Sequence, residues 1–283
     1  MAAAMIAVVV PIFNAPRETT RCLSALAATV SERTPVVMID DASDDPDVER
    51  ILERQPEHWY RVRNETNLGF VATANLGMAL AGDADVVLLN ADTEVTDGWL
   101  EAIERCATSD EGIASITPLT NNGEIASVPE FCRANPWPED IERWARACRE
   151  SGPPVYPEVP TGVGFCMYLR RTCLDRIGEF DEQAFGRGYG EENDWCMRAI
   201  KAGWRHVLCD DAFVAHQGGA SFGPLGLAPG GEAMEILLKR YPDYMERVTA
   251  FIEADPMAAR RTAIVQRYRE LEAAVGTRDQ GSL

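Results

Sequence analysis

Short runs of apolar, mostly β-branched residues alternate with stretches of helical period along the first 117 residues. The alternation constrains the fold more than any other feature of the sequence. Runs that stay apolar throughout are buried on both faces, which is typical of parallel strands covered by helices on either side. The sequence therefore predicts an α/β fold with a mostly parallel central sheet flanked by helices. The predicted strands are 6–10, 36–39, 59–62, 85–89 and 113–116, and the predicted helices are 16–30, 46–54, 70–81 and 97–106.

The pattern is less regular after residue 117. A proline-rich stretch at 118–160 contains Asn121-Asn122-Gly123 and one predicted helix at 138–150. A strand at 163–169, a helix at 191–202 and two short strands at 206–208 and 213–215 are expected to follow. The Gly/Pro-rich segment 217–231 is interpreted either as a mobile lid or as a linker. We expect one domain over 1–230, with halves 1–117 and 118–230, and a helical C-terminal extension over 231–283.

The charge balance excludes some classes of partner. The chain carries 45 acidic against 27 basic residues, a net charge of −18, and no run of Lys or Arg. Such a surface repels nucleic acid phosphates and anionic lipids, so we expect no nucleic acid partner and at most peripheral membrane association. The apolar stretch 5–10 is far shorter than the ~20 residues that cross a bilayer. With eight cysteines and no C-x-x-C pair, a cytoplasmic protein with reduced thiols is the expectation.

Polar residues follow two of the predicted strands. Asp40 and Asp41 come after the second strand, and Asn90, Ala91 and Asp92 follow the fourth. Turn formation and helix capping would explain either loop alone. Together they predict a ligand site, because ligands bind beyond the carboxyl ends of parallel strands. No Gly-rich phosphate loop is present, so a nucleotide phosphate bound at this acidic edge requires a divalent cation, with Asp92 as a ligand.

Two further groups suggest chemistry. Glu191, Glu192 and Asp194 stand at the start of a predicted helix, after a Gly-rich turn. Capping would explain one or two of these acids. Three in four residues can raise a pKa and supply a general base. His216 follows the last predicted strand, where a lone histidine is usually structural; beside an ion held by an aspartate it becomes a candidate ligand.

Several segments of the chain occur in the order in which family 2 glycosyltransferases carry their motifs. Over residues 5–223 the chain resembles this family of inverting nucleotide-sugar enzymes, which implies the Rossmann-like GT-A fold. The closest subgroup in motif pattern is that of rhamnosyl- and galactofuranosyltransferases. The segments are 8–14, 39–43, 67–70 with Asn75 and Gly77, 88–93, 178–182, 190–198, and His216 with Ser221 and Phe222.

The resemblance implies roles for individual residues. Glu192 would be the general base, flanked by Glu191 and Asp194, although spacing leaves open which of the three acts. Asp92 and His216 would hold Mg²⁺ or Mn²⁺. Two positions depart from the family pattern: Asn90 stands where the metal motif often begins with Asp, and Glu192 where many relatives have Asp. The residues implied along the nucleotide are Pro11, Phe13, Asn14, Asp40, Asp41, Asn67, Gly69, Asn90 and Ala91.

The implied reaction moves a sugar from a dTDP- or UDP-sugar to a hydroxyl of a glycan or lipid-linked acceptor in bacterial surface polysaccharide synthesis. A sugar-nucleotidyltransferase is the first alternative, and the segment 11–14 argues against it because a Gly-rich basic loop is absent there. A non-catalytic binding or assembly module is the second, and intact Asp92, Glu192 and His216 argue against it. The C-terminal helices could pack on the core, form a homodimer contact or join a multidomain assembly.

Overall fold

The computed structural model describes residues 5–186, 188–218 and 231–279. The predicted strands and helices are present, with ends that shift by a few residues. The strands are β1 (Ile6–Ile12), β2 (Val36–Asp40), β3 (Tyr60–Arg63), β4 (Asp85–Leu89), β5 (Thr93–Glu94), β6 (Ile113–Leu119), β7 (Glu158–Val159), β8 (Cys166–Leu169), β9 (Arg205–Phe213) and β10 (Ala215–His216). The helices are α1 (Pro16–Thr29), α2 (Pro46–Glu53), α3 (Phe70–Leu80), α4 (Trp99–Ser109), α5 (Ile141–Glu150), α6 (Arg171–Ile177), α7 (Glu182–Phe185), α8 (Glu191–Lys201), α9 (Gly231–Arg240), α10 (Tyr244–Ala254) and α11 (Ala258–Asp279), with a 3-10 turn at Glu124–Ala126.

Eight of the strands in the described ranges form one mixed sheet in the order β3-β2-β1-β4-β8-β6-β9-β7. The four strands β3, β2, β1 and β4 are parallel, and β6 is parallel to β9. β8 runs antiparallel between β4 and β6, and β7 runs antiparallel at the edge. The expected α/β architecture, a central sheet flanked by helices, is confirmed, and the antiparallel strands lie in its second half.

Both faces of the sheet are covered, as continuous apolar strands require. Successive residues of β1 point to opposite faces. Val8 and Val10 pack with α1, including Leu23, whereas Val9 packs with α3, including Met78. The two faces therefore belong to two separate apolar clusters, which explains why the valine run has no polar interruption.

A glycine lets α3 approach the sheet closely. A Cβ atom on Gly77 would lie 2.2 Å from Val9 Cγ1 and 3.0 Å from Ile39 Cδ1. The α3 backbone consequently packs directly on β1 and β2. This contact fixes where the N-terminus of α3, at Gly69 and Phe70, meets the carboxyl edge of the sheet.

The last two expected strands have different lengths in the structure, and the second belongs to a small separate sheet. The strand expected at 206–208 extends over Arg205–Phe213 as β9, and the strand expected at 213–215 is β10, which covers Ala215 and His216. β10 pairs antiparallel with β5, with His216 opposite Thr93. This pairing joins two distant parts of the sequence and brings His216 beside the loop that holds Asp92.

The C-terminal helices pack on the core. α11 lies along α5, and Arg260 on α11 forms a buried ion pair with Asp210 on β9. Arg240 on α9 pairs with Asp194 of α8. The expected domain boundary at residue 230, most of the segment interpreted as a lid or linker, and Ser221 and Phe222 lie outside the described residues.

All eight cysteines are free thiols, and Cys132 is the exposed one. In the described parts of the chain, no helix combines the length and the apolar character that crossing a membrane requires.

Candidate active site

A cleft of about 480 Å³ opens at the carboxyl edge of the sheet. Its walls come from both halves of the chain and from the C-terminal helices. Eleven of the fourteen residues predicted for the site line it: Pro11, Phe13, Asp41, Asn67, Gly69, Asn90, Ala91, Asp92, Glu191, Glu192 and His216. The other three, Asn14, Asp40 and Asp194, are not part of the described lining.

Asp41 organises one wall of the cleft. Its carboxylate accepts hydrogen bonds from the backbone amides of Leu68 and Gly69 and from the Asn64 side chain, each at 2.8 Å. Gly69 has a φ of 88°, which favours glycine over any residue with a side chain. The buried Oδ1 atom of Asn67 has no hydrogen-bond partner among the residues that the structure describes. The wall therefore offers an unused acceptor to a ligand.

Asn14 and Asp40 support this wall from behind. The Asn14 side chain donates to Asp44 at 3.0 Å and accepts from the backbone amides of Asp44 and Asp45. Asp40 is buried, pairs with Arg63 and accepts from the backbone amide of Ser43 at 2.9 Å. Their polar groups hold the β1 and β2 loops together.

Asp92 and His216 face each other across the β5–β10 pairing. The Nδ1 atom of His216 lies 2.6 Å from the carbonyl oxygen of Asn122, and a carbonyl can only accept. In the neutral ring, Nδ1 therefore carries the proton, and the lone pair of Nε2 faces Asp92 Oδ1 at 3.5 Å. Two electron-pair donors at this separation fit a shared cation.

The pair does not make a complete metal site. Across the described ranges, no cluster of three or more His, Cys, Asp or Glu side chains is arranged to hold a metal ion. Mg²⁺ is commonly held by one or two protein ligands together with substrate phosphates and water. Asp92 and His216 thus fit a cation that also needs oxygens from a ligand.

The loop at 121–124 positions His216 and was not predicted to belong to the site. The Asn121 side chain donates to the His216 carbonyl at 3.0 Å and accepts from its backbone amide at 2.9 Å. Phe165 stacks on the imidazole at 5.1 Å. Sequence reasoning noted Asn121-Asn122-Gly123 only as part of a proline-rich stretch, because the His216 partner of Asn121 is 95 positions away.

Glu191 and Glu192 stand at the N-terminus of α8, next to each other in the cleft. Glu191 is 5% exposed and Glu192 is partly exposed. Within the described ranges, the Oε2 atoms of both lack hydrogen-bond partners. Burial raises the pKa of Glu191 well above its ordinary value, and the charge of Glu192 raises it further. Burial also raises the pKa of Glu192, although hydrogen bonds from backbone amides and from Glu191 oppose the rise.

The two glutamates differ in burial. Glu191 is 5% exposed and Glu192 is the more accessible of the two, and burial favours the protonated form of a carboxyl. Glu192 remains the better candidate for an ionised carboxylate at neutral pH. A proton held on Glu191 can be shared with Glu192, which is the arrangement of paired carboxyls in acid–base sites.

Asp194 belongs to a buried ion-pair network rather than to the cleft lining. It is fully buried, and its oxygens accept from Arg198 at 2.9 Å, Arg240 at 2.8 Å and the Tyr241 hydroxyl at 3.1 Å. Both arginines form ion pairs with it. The network ties α9 to α8, and the carboxylate faces these partners.

The C-terminal helices complete the cleft. Met234 and Leu237 from α9 and Tyr244 from α10 line it. The Tyr244 hydroxyl donates to Asn193 Oδ1 at 2.6 Å, and the Thr161 hydroxyl donates to the same oxygen at 2.9 Å. No motif marks these helical residues in the sequence. Tyr189, just before α8, also lines the cleft.

The charge of the cleft is one-sided. The described lining residues include no Lys or Arg. They include five carboxylates, which are Asp41, Asp92, Glu124, Glu191 and Glu192. An anionic ligand would therefore meet like charge unless a cation entered with it. The geometry supports the sequence-based expectation that phosphate binding at this edge depends on a divalent ion.

Comparisons with known proteins identify the family and the fold. One similar curated protein is the N-acetylglucosaminyl-diphospho-decaprenol L-rhamnosyltransferase of Mycobacterium tuberculosis, from strains CDC 1551 / Oshkosh and H37Rv. The two sequences are 26% identical over 230 residues, which cover 72% of this chain and 73% of that protein. The structure of GalNAc-T7 with UDP, GalNAc and Mn²⁺ superposes with a TM-score of 0.64 at 14% identity. The superposition covers 94% of this chain, and this chain spans about half (55%) of the GalNAc-T7 chain.

A second solved structure, S. aureus TarS 1-349, superposes with a TM-score of 0.55 at 16% identity, over 89% of this chain and 74% of that chain. The structural likenesses confirm the expected GT-A fold. The model of glycosyl transferase family 2 matches residues 7–178, which is more than half of the chain. The chain therefore belongs to glycosyl transferase family 2 and is a glycosyltransferase.

Proposed function

We propose that this enzyme transfers a sugar from a dTDP- or UDP-sugar, with inversion, to a hydroxyl of a glycan or lipid-linked acceptor in bacterial surface polysaccharide synthesis. One observation carries the proposal: the Asp92–His216 pair and the Glu191–Glu192 pair open into the same cleft. The relative named as an L-rhamnosyltransferase for N-acetylglucosaminyl-diphospho-decaprenol supports a deoxysugar donor and a lipid-linked acceptor.

The donor nucleotide would lie along the wall organised by Asp41. The unpartnered Oδ1 atom of Asn67 can accept the ring N–H that uracil and thymine share. The backbone of the loop at 67–69 is held by Asp41 before any ligand arrives. This pre-ordering lowers the entropic cost of binding. Pro11, Phe13, Asn90 and Ala91 complete the lining on this side.

Asp92 and His216 are the residues that would hold Mg²⁺ or Mn²⁺ against the donor diphosphate. Their fit rests on the fixed tautomer of His216 and on the 3.5 Å separation of Nε2 from Asp92 Oδ1. When bound, the ion would supply positive charge against the negative charge that develops on the leaving nucleoside diphosphate. Asn122 and Asn121 keep the imidazole in place for this work.

Glu192 is the general base in this proposal. Its carboxylate takes the proton from the acceptor hydroxyl as that oxygen attacks the anomeric carbon. Attack on the face opposite to the leaving diphosphate inverts the anomeric centre. Glu191 keeps the neighbouring proton and Asp194 is held by Arg198 and Arg240, so the role falls to Glu192 among the three acids at the start of α8.

The test measures nucleotide binding by calorimetry with and without Mn²⁺. We expect UDP or dTDP to bind the wild-type enzyme in the presence of Mn²⁺, and Asp92→Asn to weaken that binding at least about tenfold. The matched control is Asp83→Asn, an exposed aspartate just before β4. Undiminished binding by Asp92→Asn would overturn the metal assignment. Pyrophosphate release from a nucleoside triphosphate and a sugar phosphate would instead identify a nucleotidyltransferase.

A further inference from the structure

We propose that Glu124 binds the acceptor sugar, accepting a hydrogen bond from a hydroxyl next to the one that Glu192 deprotonates. The inference rests on the proposed transfer to a sugar hydroxyl and assigns the acceptor side of that site. It also names the class of ligand, which is a neutral polyhydroxylated ring at the glutamate end of the cleft.

The loop that carries Glu124 is rigidly held. Gly123 packs so tightly that a Cβ atom there would lie 2.5 Å from Thr120 Cγ2 and 3.1 Å from Phe165 Cε1. The preceding residue, Asn122, accepts from His216 at 2.6 Å. One short loop thus contacts the candidate metal ligand on one side and presents Glu124 on the other.

The side chain of Glu124 is available to a ligand. It is exposed, it lines the cleft, and its carboxylate makes no hydrogen bond or ion pair with the residues that the structure describes. Its charge nevertheless acts on Glu192 and on Tyr244. Because Glu124 and Glu192 line the same cleft, one acceptor molecule in it can contact both carboxyls.

The chemistry of this end of the cleft favours hydroxyl donors. Glu124, Glu191 and Glu192 present carboxyl oxygens, and one buried oxygen of Glu191 has no hydrogen-bond partner in the described part of the chain. Ionised carboxylates only accept hydrogen bonds, and a sugar ring supplies several O–H donors. A phosphate or carboxylate group at the same place would meet like charge. A lipid-linked acceptor would consequently present its sugar here and keep its diphosphate outside.

Removing the charge of Glu124 has a predictable effect on Glu192. The titratable groups that interact with Glu192 are Glu191 and Cys196 on α8, Tyr189 before it, Glu124, and Tyr244 on α10. Glu124 raises the pKa of Glu192 by like-charge repulsion. A neutral residue at position 124 therefore lowers that pKa and moves the acidic limb of the pH–rate profile to lower pH.

The experiment compares Glu124→Gln with wild type, using dTDP-rhamnose or a UDP-sugar, Mn²⁺ and an alkyl N-acetylglucosaminide as the acceptor probe. We expect the KM for the acceptor to rise about tenfold or more, because a hydrogen bond to a charged group is lost. The donor KM and Mn²⁺-dependent nucleotide binding should stay unchanged. The acidic limb of kcat/KM should move to lower pH. The matched control is Glu130→Gln, an exposed acid in the same connecting segment.

A second variant separates folding from recognition. Glu124 has a φ of 47°, a conformation that glycine adopts without strain. Glu124→Gly should therefore keep or raise the melting temperature while it loses acceptor affinity. An unchanged acceptor KM in both variants, or equal losses in nucleotide binding and acceptor affinity, would overturn the role of Glu124. A wild-type enzyme that binds nucleotide but transfers no sugar would overturn the proposed function itself.

Discussion

Arg260→Met tests whether the C-terminal extension is an integral part of the enzyme. The Arg260 side chain is 7% exposed and that of Asp210 is fully buried. The guanidinium donates to Asp210 at 2.6 Å, to the Cys148 carbonyl at 2.8 Å and to the Ser151 hydroxyl at 2.9 Å. Methionine preserves much of the volume but leaves the Asp210 carboxylate buried without a cation.

The magnitude follows from that unpaired charge. Breaking a buried ion pair by removing one partner costs about 3–5 kcal/mol. The backbone amides of Val155 and Tyr156 still donate to Asp210 at 2.9 Å, which places the expected loss near the lower end, about 3 kcal/mol. A loss of this size lowers the melting temperature by about 6–12 °C in a domain of this size class.

Thermal unfolding followed by circular dichroism measures the effect. The matched control is Arg267→Met, which breaks a half-exposed pair between the same helix, α11, and Glu150 of α5 and should cost less than about 1 kcal/mol. Adding Asp210→Asn to Arg260→Met should recover part of the loss, because the buried charge is then gone. Equal effects of Arg260→Met and Arg267→Met would refute the reasoning.

Three further predictions concern the site and the fold. Glu192→Gln should lower kcat by about 10²–10⁴-fold while Mn²⁺-dependent nucleotide binding is kept; normal turnover would move the role of base to another residue. Because burial raises the pKa of Glu192 above its ordinary value of 4.5, wild-type kcat/KM should fall as the pH drops through that raised pKa, and a profile that stays flat down to pH 4.5 would contradict this. Gly77→Ala should destabilise the fold by up to about 2 kcal/mol in urea titrations, since overpacking against Val9 costs about 1–3 kcal/mol and the gain in helix propensity returns about 1 kcal/mol; unchanged stability would show that α3 can move away from β1.

The fold was predictable because its main signal is local. The valine run of β1 is apolar at every position because Val8 and Val9 face different clusters on opposite sides of the sheet. The period of a helix and the apolar run of a buried strand are both visible within a dozen residues. The β5–β10 pairing was not predicted, since each strand has two residues and the partners are far apart in sequence.

The site was predictable in part for the same reason. Asp41 and Asp92 follow buried strands, and the carboxyl ends of parallel strands meet at one edge. Asp40 and Asp41 are equivalent in the sequence, but packing gives them different partners. Asp40 forms an ion pair with Arg63, whereas Asp41 accepts a hydrogen bond from the Gly69 amide in the cleft wall. Asp194 likewise forms an ion pair with Arg240 instead of lining the cleft, and this pair depends on the packing of α9 against α8.

The sequence alone determined the alternation of strands and helices and the acidic edge of the sheet, because these follow from residue type and short spacing. The tertiary structure decided which carboxylates face the cleft and which tautomer His216 adopts. It also decided that Glu124 and Tyr244 join the site. These features depend on contacts between residues distant along the chain, and only the packed chain brings those residues within hydrogen-bonding distance.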